Sequence, residues 1–301
     1  MFNSNQTDMF NSNQAEIFEK PSTQKNDIET LLKTSLPPLP GSVFRILELL
    51  RDPNVTTNAL ATAVGYDPLL AARLLRLANS SYYSRQRNVT TIHKAIDTIG
   101  TKALYDAVML GVAANTFSKE IEGSTVGRAI WEHSIAVALL SREISQIMDL
   151  QGTENAFICG LLHDIGKFIL LKADVKCFTA LSQRIEEDEM MMSEERHFGV
   201  NHTEVGVLMA RRWGLPDEIS SAILHHHNPT RASQAIVIAH IINASDLIAG
   251  ANGYGLCSEE ELGYIQSEST IVLRLTQPQM LEAWENVQSN LQEIVGTLSG
   301  R

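Results

Sequence analysis

The run Gly160-Leu161-Leu162-His163-Asp164-Ile165-Gly166-Lys167-Phe168-Ile169-Leu170-Leu171 sets a histidine, an aspartate and a lysine inside an otherwise apolar stretch. A chain that buries this segment must supply partners for those three groups, because unpaired polar or charged groups are costly in a hydrophobic interior. Gly160 and Gly166 permit close approach of neighbouring helices. On one helix, adjacent residues point about 100° apart. His163 and Asp164 can therefore flank a metal ion, with the carboxylate free to bridge to a second. Lys167 follows His163 by four residues and Asp164 by three, so it projects from the same face and could hold a phosphate oxygen. Its plain alternative is a lysine that ends a helix at the Gly166 break.

Further positions repeat this pattern of a metal-ligating residue set into an apolar helix. His133 lies beside the stripe Ile130, Val137, Leu140 and Ile144. His202 falls in the first turn of its helix, where the positive dipole end favours the neutral, metal-binding imidazole. His225, His226 and His227 follow Ile223 and Leu224 near a helix end, and one or two of the three can face a given site. Asp246 interrupts the apolar series Ile236, Ile238, Ile241, Ile242, Leu247 and Ile248. Taken singly, these have ordinary readings: a core histidine, an exposed first-turn residue, an aspartate on a polar face with Asn243 and Ser245. Taken together they predict a divalent metal centre, for which iron, manganese and zinc are all suited. His240 is expected to make a structural hydrogen bond, and His93 and His197 have no supporting context.

The net charge of −11 disfavours nucleic acid as a partner, because phosphate neutralisation needs clustered Lys and Arg. Two short helices predicted around Gly65, within Thr56 to Asn79, have helix-turn-helix spacing. That spacing is common in helical bundles, and the nearby Arg73, Arg76, Arg85 and Arg87 read as a solvated face or partner surface. Cys159, Cys177 and Cys257 form no CxxC pair and suit a reducing compartment. No basic segment followed by an apolar core opens the chain, and the apolar windows are too short to span a bilayer. A cytoplasmic protein without membrane contact is expected.

Helix signals follow one another with almost no strand signals between them, which predicts an all-α fold. Asp67-Pro68 is an N-cap with proline at the first helical position. Asn201 with Glu204 reads as a capping box, on a helix ending at Gly214 before Pro216. Thr153 with Glu154, Thr230, and Ser258 with Glu261 are expected to open further helices, and Gln279 to Leu298 forms a terminal one. The duplicated Met-Phe-Asn-Ser-Asn-Gln tract predicts a disordered tail over 1–26, with Pro37, Pro38 and Pro40 as a rigid entry to the first long helix.

Several motifs together resemble the HDOD domain, a relative of the HD-GYP phosphodiesterases in the HD superfamily. They are Leu36-Pro37-Pro38-Leu39-Pro40, Asp67-Pro68-Leu69-Leu70, Leu77-Ala78-Asn79-Ser80, Ile92 to Gly100, Gly160 to Lys167, Trp213-Gly214-Leu215-Pro216 and His226-His227-Asn228-Pro229. The resemblance implies an HD-like helical bundle over 121–250, preceded by an N-terminal helical subdomain over 27–120 and followed by a helical extension over 251–301. It implies metal ligation by His133, His163, Asp164 and Asp246, with His202, His226 and His227 completing a binuclear site, and matches Lys167 to a catalytic-loop lysine. Asn228-Pro229-Thr230 replaces the GYP motif, Asn228 stands where a glutamate is expected, and Ala129 stands one turn before His133. These departures put a third metal and cyclic di-GMP cleavage in doubt. The implied function is signalling through a regulatory protein partner. The alternative is a metal-dependent phosphohydrolase or phosphodiesterase on a phosphate-containing ligand such as a nucleotide or cyclic nucleotide, with Asp164 and Lys167 catalytic.

Overall fold

A computed structural model describes residues 37–80, 83, 88–182, 187–256 and 264–298. The tail over 1–26, Arg85, Arg87, Cys257 and the Ser258–Glu261 helix start lie outside the described residues. Those described form helices with no strand among them, as the pattern of start and stop signals predicts. No helix among them is long and apolar enough to cross a membrane.

The first helices are α1 (Gly41–Leu50), α2 (Thr57–Gly65), α3 (Pro68–Ala78) and α4 (Ile92–Thr116). Pro40 precedes α1 without a side-chain cap, and Asp67 caps α3 by accepting from the Leu70 amide, with Pro68 inside the first turn. α4 is kinked at Gly100, whose φ of 80° is open to glycine at little cost. Leu70, Leu74 and Leu77 of α3 pack inward, and Arg73 donates from Nη1 to the Gly111 carbonyl of α4 at 2.9 Å. Arg73, half-buried, is therefore a tether between α3 and α4 rather than a wholly solvated side chain; its neighbour Arg76 is exposed.

After α5 (Ser118–Gly123) comes α6 (Thr125–Ile147), the axis of the second half of the chain. The buried run from Ile135 to Leu140 shows that α6 is covered on several sides, by α7 (Ala156–Leu162), α13 (Ile236–Ala251) and α15 (Gln277–Leu298). Between these lie α8 (Ile165–Ala173), α9 (Val175–Leu181), α10 (Glu187–Phe198), α11 (His202–Arg212) and α12 (Asp217–His225), with α14 (Glu268–Leu273) before α15. α8 packs on α11, and α11 on α12. One buried apolar cluster takes in side chains from α1 through α15. Two long-range bonds tie the flanks of α1 to the α11–α12 connection: Trp213 Nε1 donates to the Pro37 carbonyl at 2.9 Å, and Arg51 Nη2 to the Gly214 carbonyl at 3.1 Å.

Three helix starts differ from expectation. His163 and Asp164 do not share one helix: α7 ends at Leu162, Asp164 (φ −102°, ψ 12°) stands just before α8 without capping it, and the chain turns there. Thr153 turns its hydroxyl back to the Leu150 carbonyl, and α7 begins at Ala156 instead. Thr230 donates to Asn228 Oδ1 within a short 3₁₀ turn, Pro229–Arg231, and α13 begins only at Ile236 after Ala235 takes a left-handed conformation. The capping box at Asn201 and Glu204 forms as expected, with Gly214 at φ 64° beyond the helix end.

Gly160 and Gly166 set the approach of the helices that carry the His-Asp pair. A Cβ on Gly160 would lie 2.9 Å from the Val137 carbonyl and the Ala138 Cα of α6, and one on Gly166 would collide with the His202 carbonyl. Neither contact is a flexible side-chain tip. Gly166→Ala should therefore cost about 1–3 kcal/mol by overpacking, read as a lowered thermal midpoint.

α4 and α6 are locked by a buried charge pair. Arg142 donates to the Tyr83 hydroxyl at 2.8 Å, lies over the Phe157 ring, and approaches Asp106 at 3.5 Å. Burial pushes the Asp106 carboxyl up to about 6, against the pull of Arg142 and Lys102. An unfolded aspartate titrates near about 3.9, so between about pH 4 and 6 the native state binds more protons and stability falls as pH rises. Asp106→Asn is expected to remove that slope from denaturant melts, and an unaltered slope would assign it to another group.

Candidate metal centre

Helix ends supply most of the centre. His163 and His226 each follow the last residue of a helix and donate from Nδ1 to the carbonyl three residues back, Gly160 and Ile223, both at 2.7 Å. Those carbonyls lie in the last turn of an α-helix, where the final four carbonyls lack partners within the helix. His202 opens α11, and a single oxygen of Glu194, Oε2, accepts both its backbone N–H at 2.9 Å and its Nδ1 at 2.7 Å. His133, mid-way along α6, directs Nδ1 at the Tyr254 carbonyl at 2.8 Å. In all four rings Nδ1 is engaged by an oxygen, which turns Nε2 toward a common interior point. A second hydrogen bond of this kind fixes tautomer and orientation in metal-binding histidines.

Asp164 stands at that point with its two oxygens facing different partners. Oδ2 lies 2.9 Å from Lys167 Nζ, 3.4 Å from His163 Nε2 and 3.6 Å from His133 Nε2. Oδ1 lies 3.4 Å from His202 Nε2 and 3.8 Å from His226 Nε2. Asp246 closes the first group, with Oδ1 3.0 Å from His133 Nε2. His227 joins the second, its Nε2 3.0 Å from that of His202. The ligand atoms of Asp164, His202, His226 and His227 lie within 4.8 Å of one another, as do those of His133, His163 and Asp164. All seven residues singled out as ligands in the sequence are thus brought together, with Lys167 beside them. His225 stays outside these groups, and His240 makes a hydrogen bond to Ser269 at 3.0 Å.

The electrostatics are those of a site built around positive charge. Burial raises the Asp164 carboxyl, but His163 and Lys167 outweigh it and hold it well below the usual range. Asp246 is held low against the same burial by its hydrogen bond to His133. Burial alone would lower His133 and His202; Asp246 and Glu194 respectively reverse that and raise them. His226 is different: burial, then His227 and His163, push it well below the ordinary imidazole value. With Nδ1 donating to the Ile223 carbonyl, Nε2 of the neutral ring carries the lone pair, and neither it nor the facing Asp164 Oδ1 has a hydrogen-bond donor among the described residues. Two buried acceptors that face one another at 3.8 Å repel unless a cation lies near both. The donor set of imidazole and carboxylate fits a borderline divalent ion.

Glu194 was not among the sequence-predicted site residues, and it sits in an acidic run with Glu187, Asp188, Glu189 and Glu195. Its signal was periodic: Met190, Glu194 and Phe198 share one face of α10, and all three are buried. The Tyr254 carbonyl left no trace, because it is backbone.

The family model for the HDOD domain matches residues 36–229, and the chain belongs to that family. An uncharacterised Treponema pallidum protein is 22% identical over 267 residues, covering 84% of this chain and 50% of that protein. Ribonuclease Y of Thermus thermophilus is 30% identical over 128 residues, 42% of this chain and 17% of the enzyme. The chain therefore spans half the length of the first relative and far less of the second. Among solved structures, an HDOD domain protein of unknown function from Geobacter sulfurreducens superposes with a TM-score of 0.71 at 25% identity, covering 89% of this chain and 96% of its own. A candidate phosphohydrolase from Shewanella amazonensis shares the fold at a TM-score of 0.72 and 21% identity, covering 93% and 100%.

If Glu194 orients His202 for metal, Glu194→Ala should weaken metal binding about 10- to 100-fold. Glu194→Gln, which can still accept from Nδ1, should weaken it less. Competition against a chromogenic chelator measures both, and equal affinity in all three proteins would reduce Glu194 to a packing role.

Proposed function

We propose that this chain is a signalling and regulatory HDOD protein whose histidine and aspartate cluster holds one or two divalent ions, with iron, manganese or zinc suited to the donors. Enclosure carries this reading. His163, Asp164, His202 and His226 are at most 2% exposed, Lys167 is spent against Asp164, and Asp246 and His227 are only partly exposed. A bound ion would brace α6, α8, α11, α12 and α13 against one another, and a partner protein would read that arrangement from outside. The Asn228 and Ala129 departures from the phosphodiesterase pattern accord with this. A cytoplasmic setting goes with the reading, as does the division into an N-terminal subdomain, an HD-like bundle and a C-terminal extension.

A second reading draws on the two-sided placement of Asp164. It makes the chain a metal-dependent phosphohydrolase or phosphodiesterase for a nucleotide or cyclic nucleotide. When bound, divalent ions at such a site supply Lewis acidity and lower the pKa of coordinated water. Asp164 would then hold the two halves of the site in register, and Lys167 would steady a phosphate oxygen.

Elemental analysis of protein purified without chelator is expected to find stoichiometric metal that Asp164→Ala loses, and its absence would sink the centre. Hydrolysis assays on nucleotides and cyclic dinucleotides are expected to show no turnover that depends on Asp164. Turnover abolished in Asp164→Ala would instead establish the hydrolase. In that case Lys167→Ala should slow turnover more than it weakens metal binding, and an unchanged rate would remove the lysine from the chemistry.

A further inference from the structure

Asp174, Cys177 and His197 bring a carboxylate oxygen, a thiol and an imidazole nitrogen within 4.8 Å of one another, apart from the cluster around Asp164. We propose that these three residues form a second metal site, selective for a thiophilic divalent ion such as zinc, with solvent completing the coordination.

The geometry is built by two elements. Asp174 ends α8 and caps α9, its Oδ1 accepting from the Cys177 amide at 2.9 Å. That bond fixes the carboxylate and sets Cys177 one turn further along. His197, in the last turn of α10, reaches across to place Nε2 3.7 Å from Asp174 Oδ2. This separation is too long for a hydrogen bond. It is close to the edge of a tetrahedral zinc site, about 3.4 Å for nitrogen and oxygen ligands each about 2.1 Å from the metal. Imidazole and Asp174 Oδ2 thus stand at ligand–ligand spacing rather than hydrogen-bonding spacing.

The donor chemistry separates this site from the first. Mixed thiolate, imidazole and carboxylate ligands suit zinc, whereas the Asp164 cluster contains no sulfur. Partial burial and Asp174 raise the Cys177 thiol to about 11. Metal binding thus forms the metal–sulfur bond as the thiol proton passes to solvent. The three side chains are of intermediate burial, so an ion can enter from the surface. Occupancy would also pin α10 to the α8–α9 corner one turn from Glu194, the carboxylate that holds His202.

Cobalt substitution tests the proposal, because only a thiolate ligand gives a sulfur-to-cobalt charge-transfer band and the Asp164 cluster has none. Full-length metal-free protein titrated with Co²⁺ under reducing conditions is expected to show that band. It should be lost in Cys177→Ser and His197→Ala, weakened in Asp174→Asn, which preserves the helix cap, and kept in His202→Ala and Cys257→Ser. Saturating zinc should also slow alkylation of Cys177, located by mass spectrometry, by about tenfold or more, since the free thiolate is the nucleophile. This second measurement uses the unmodified chain and is independent of variant folding. No charge-transfer band in a cobalt-saturated protein, a band that survives Cys177→Ser, or no zinc protection of Cys177 would each overturn the site.

Discussion

The Asp164 carboxylate, fully interior and shared between two groups of histidines, is the interaction on which the arrangement of the bundle depends. Its two oxygens face different directions, Oδ2 toward His133, His163 and Lys167 and Oδ1 toward His202 and His226. These partners come from α6, the α7–α8 junction, α11 and the end of α12. Withdrawing α6 or Lys167 from the α7–α8 junction would strip the buried carboxylates of the cationic partners that offset them, and that penalty enforces their relative placement. Lys167 offsets part of the negative charge from one turn further along, at Oδ2. The other oxygen and His226 Nε2 stay mutually unsatisfied, so the protein side chains alone leave the centre electrostatically incomplete.

Helix termini are what make so dense a polar cluster affordable. A terminus carries backbone groups that need partners in any case, and the site uses them. The same i−3 carbonyl contact orients His163 and His226, and the first amide of α11 shares Glu194 with the His202 ring. At these termini the Nδ1 atoms of the rings and the backbone groups satisfy one another. The close helix contacts at Gly160 and Gly166 serve the same end, since a wider spacing would pull the His-Asp junction away from α6 and α11.

How much of this was legible in the sequence divides along physical lines. Signals confined to one turn were readable: the Asp67-Pro68 cap, the Asn201–Glu204 box, the small residues that flank the His-Asp pair. The clustered residues were readable because histidine and aspartate in apolar surroundings need a compensating partner, whatever the fold. Boundaries at Thr153 and Thr230 were not, since each hydroxyl found a nearby acceptor and abandoned the capping role. The turn between His163 and Asp164 was hidden as well. Its residues are compatible with continued helix, and it is the packing of two separate helices on α6 and α11 that breaks them there. Arg73 looked like surface charge because its acceptor is a carbonyl 38 residues away.

α10 shows how such a structure can join a polar exterior to a dry centre. Glu189, Glu195 and Arg196 face solvent, yet Met190, Glu194 and Phe198 form a buried stripe in which one member is a carboxylate. That carboxylate survives burial because it meets an imidazole and a helix N-terminus, the two environments that best accept its charge. Any displacement of α10 along its axis would move Glu194 from the start of α11 and release the His202 ring. A ring free to turn no longer presents Nε2 beside Asp164, so the integrity of the cluster is set partly by a helix that contributes only Glu194 behind it. Control of the site therefore need not reach the ligands themselves: whatever holds or shifts α10 at the protein surface acts on His202 through a single carboxylate oxygen.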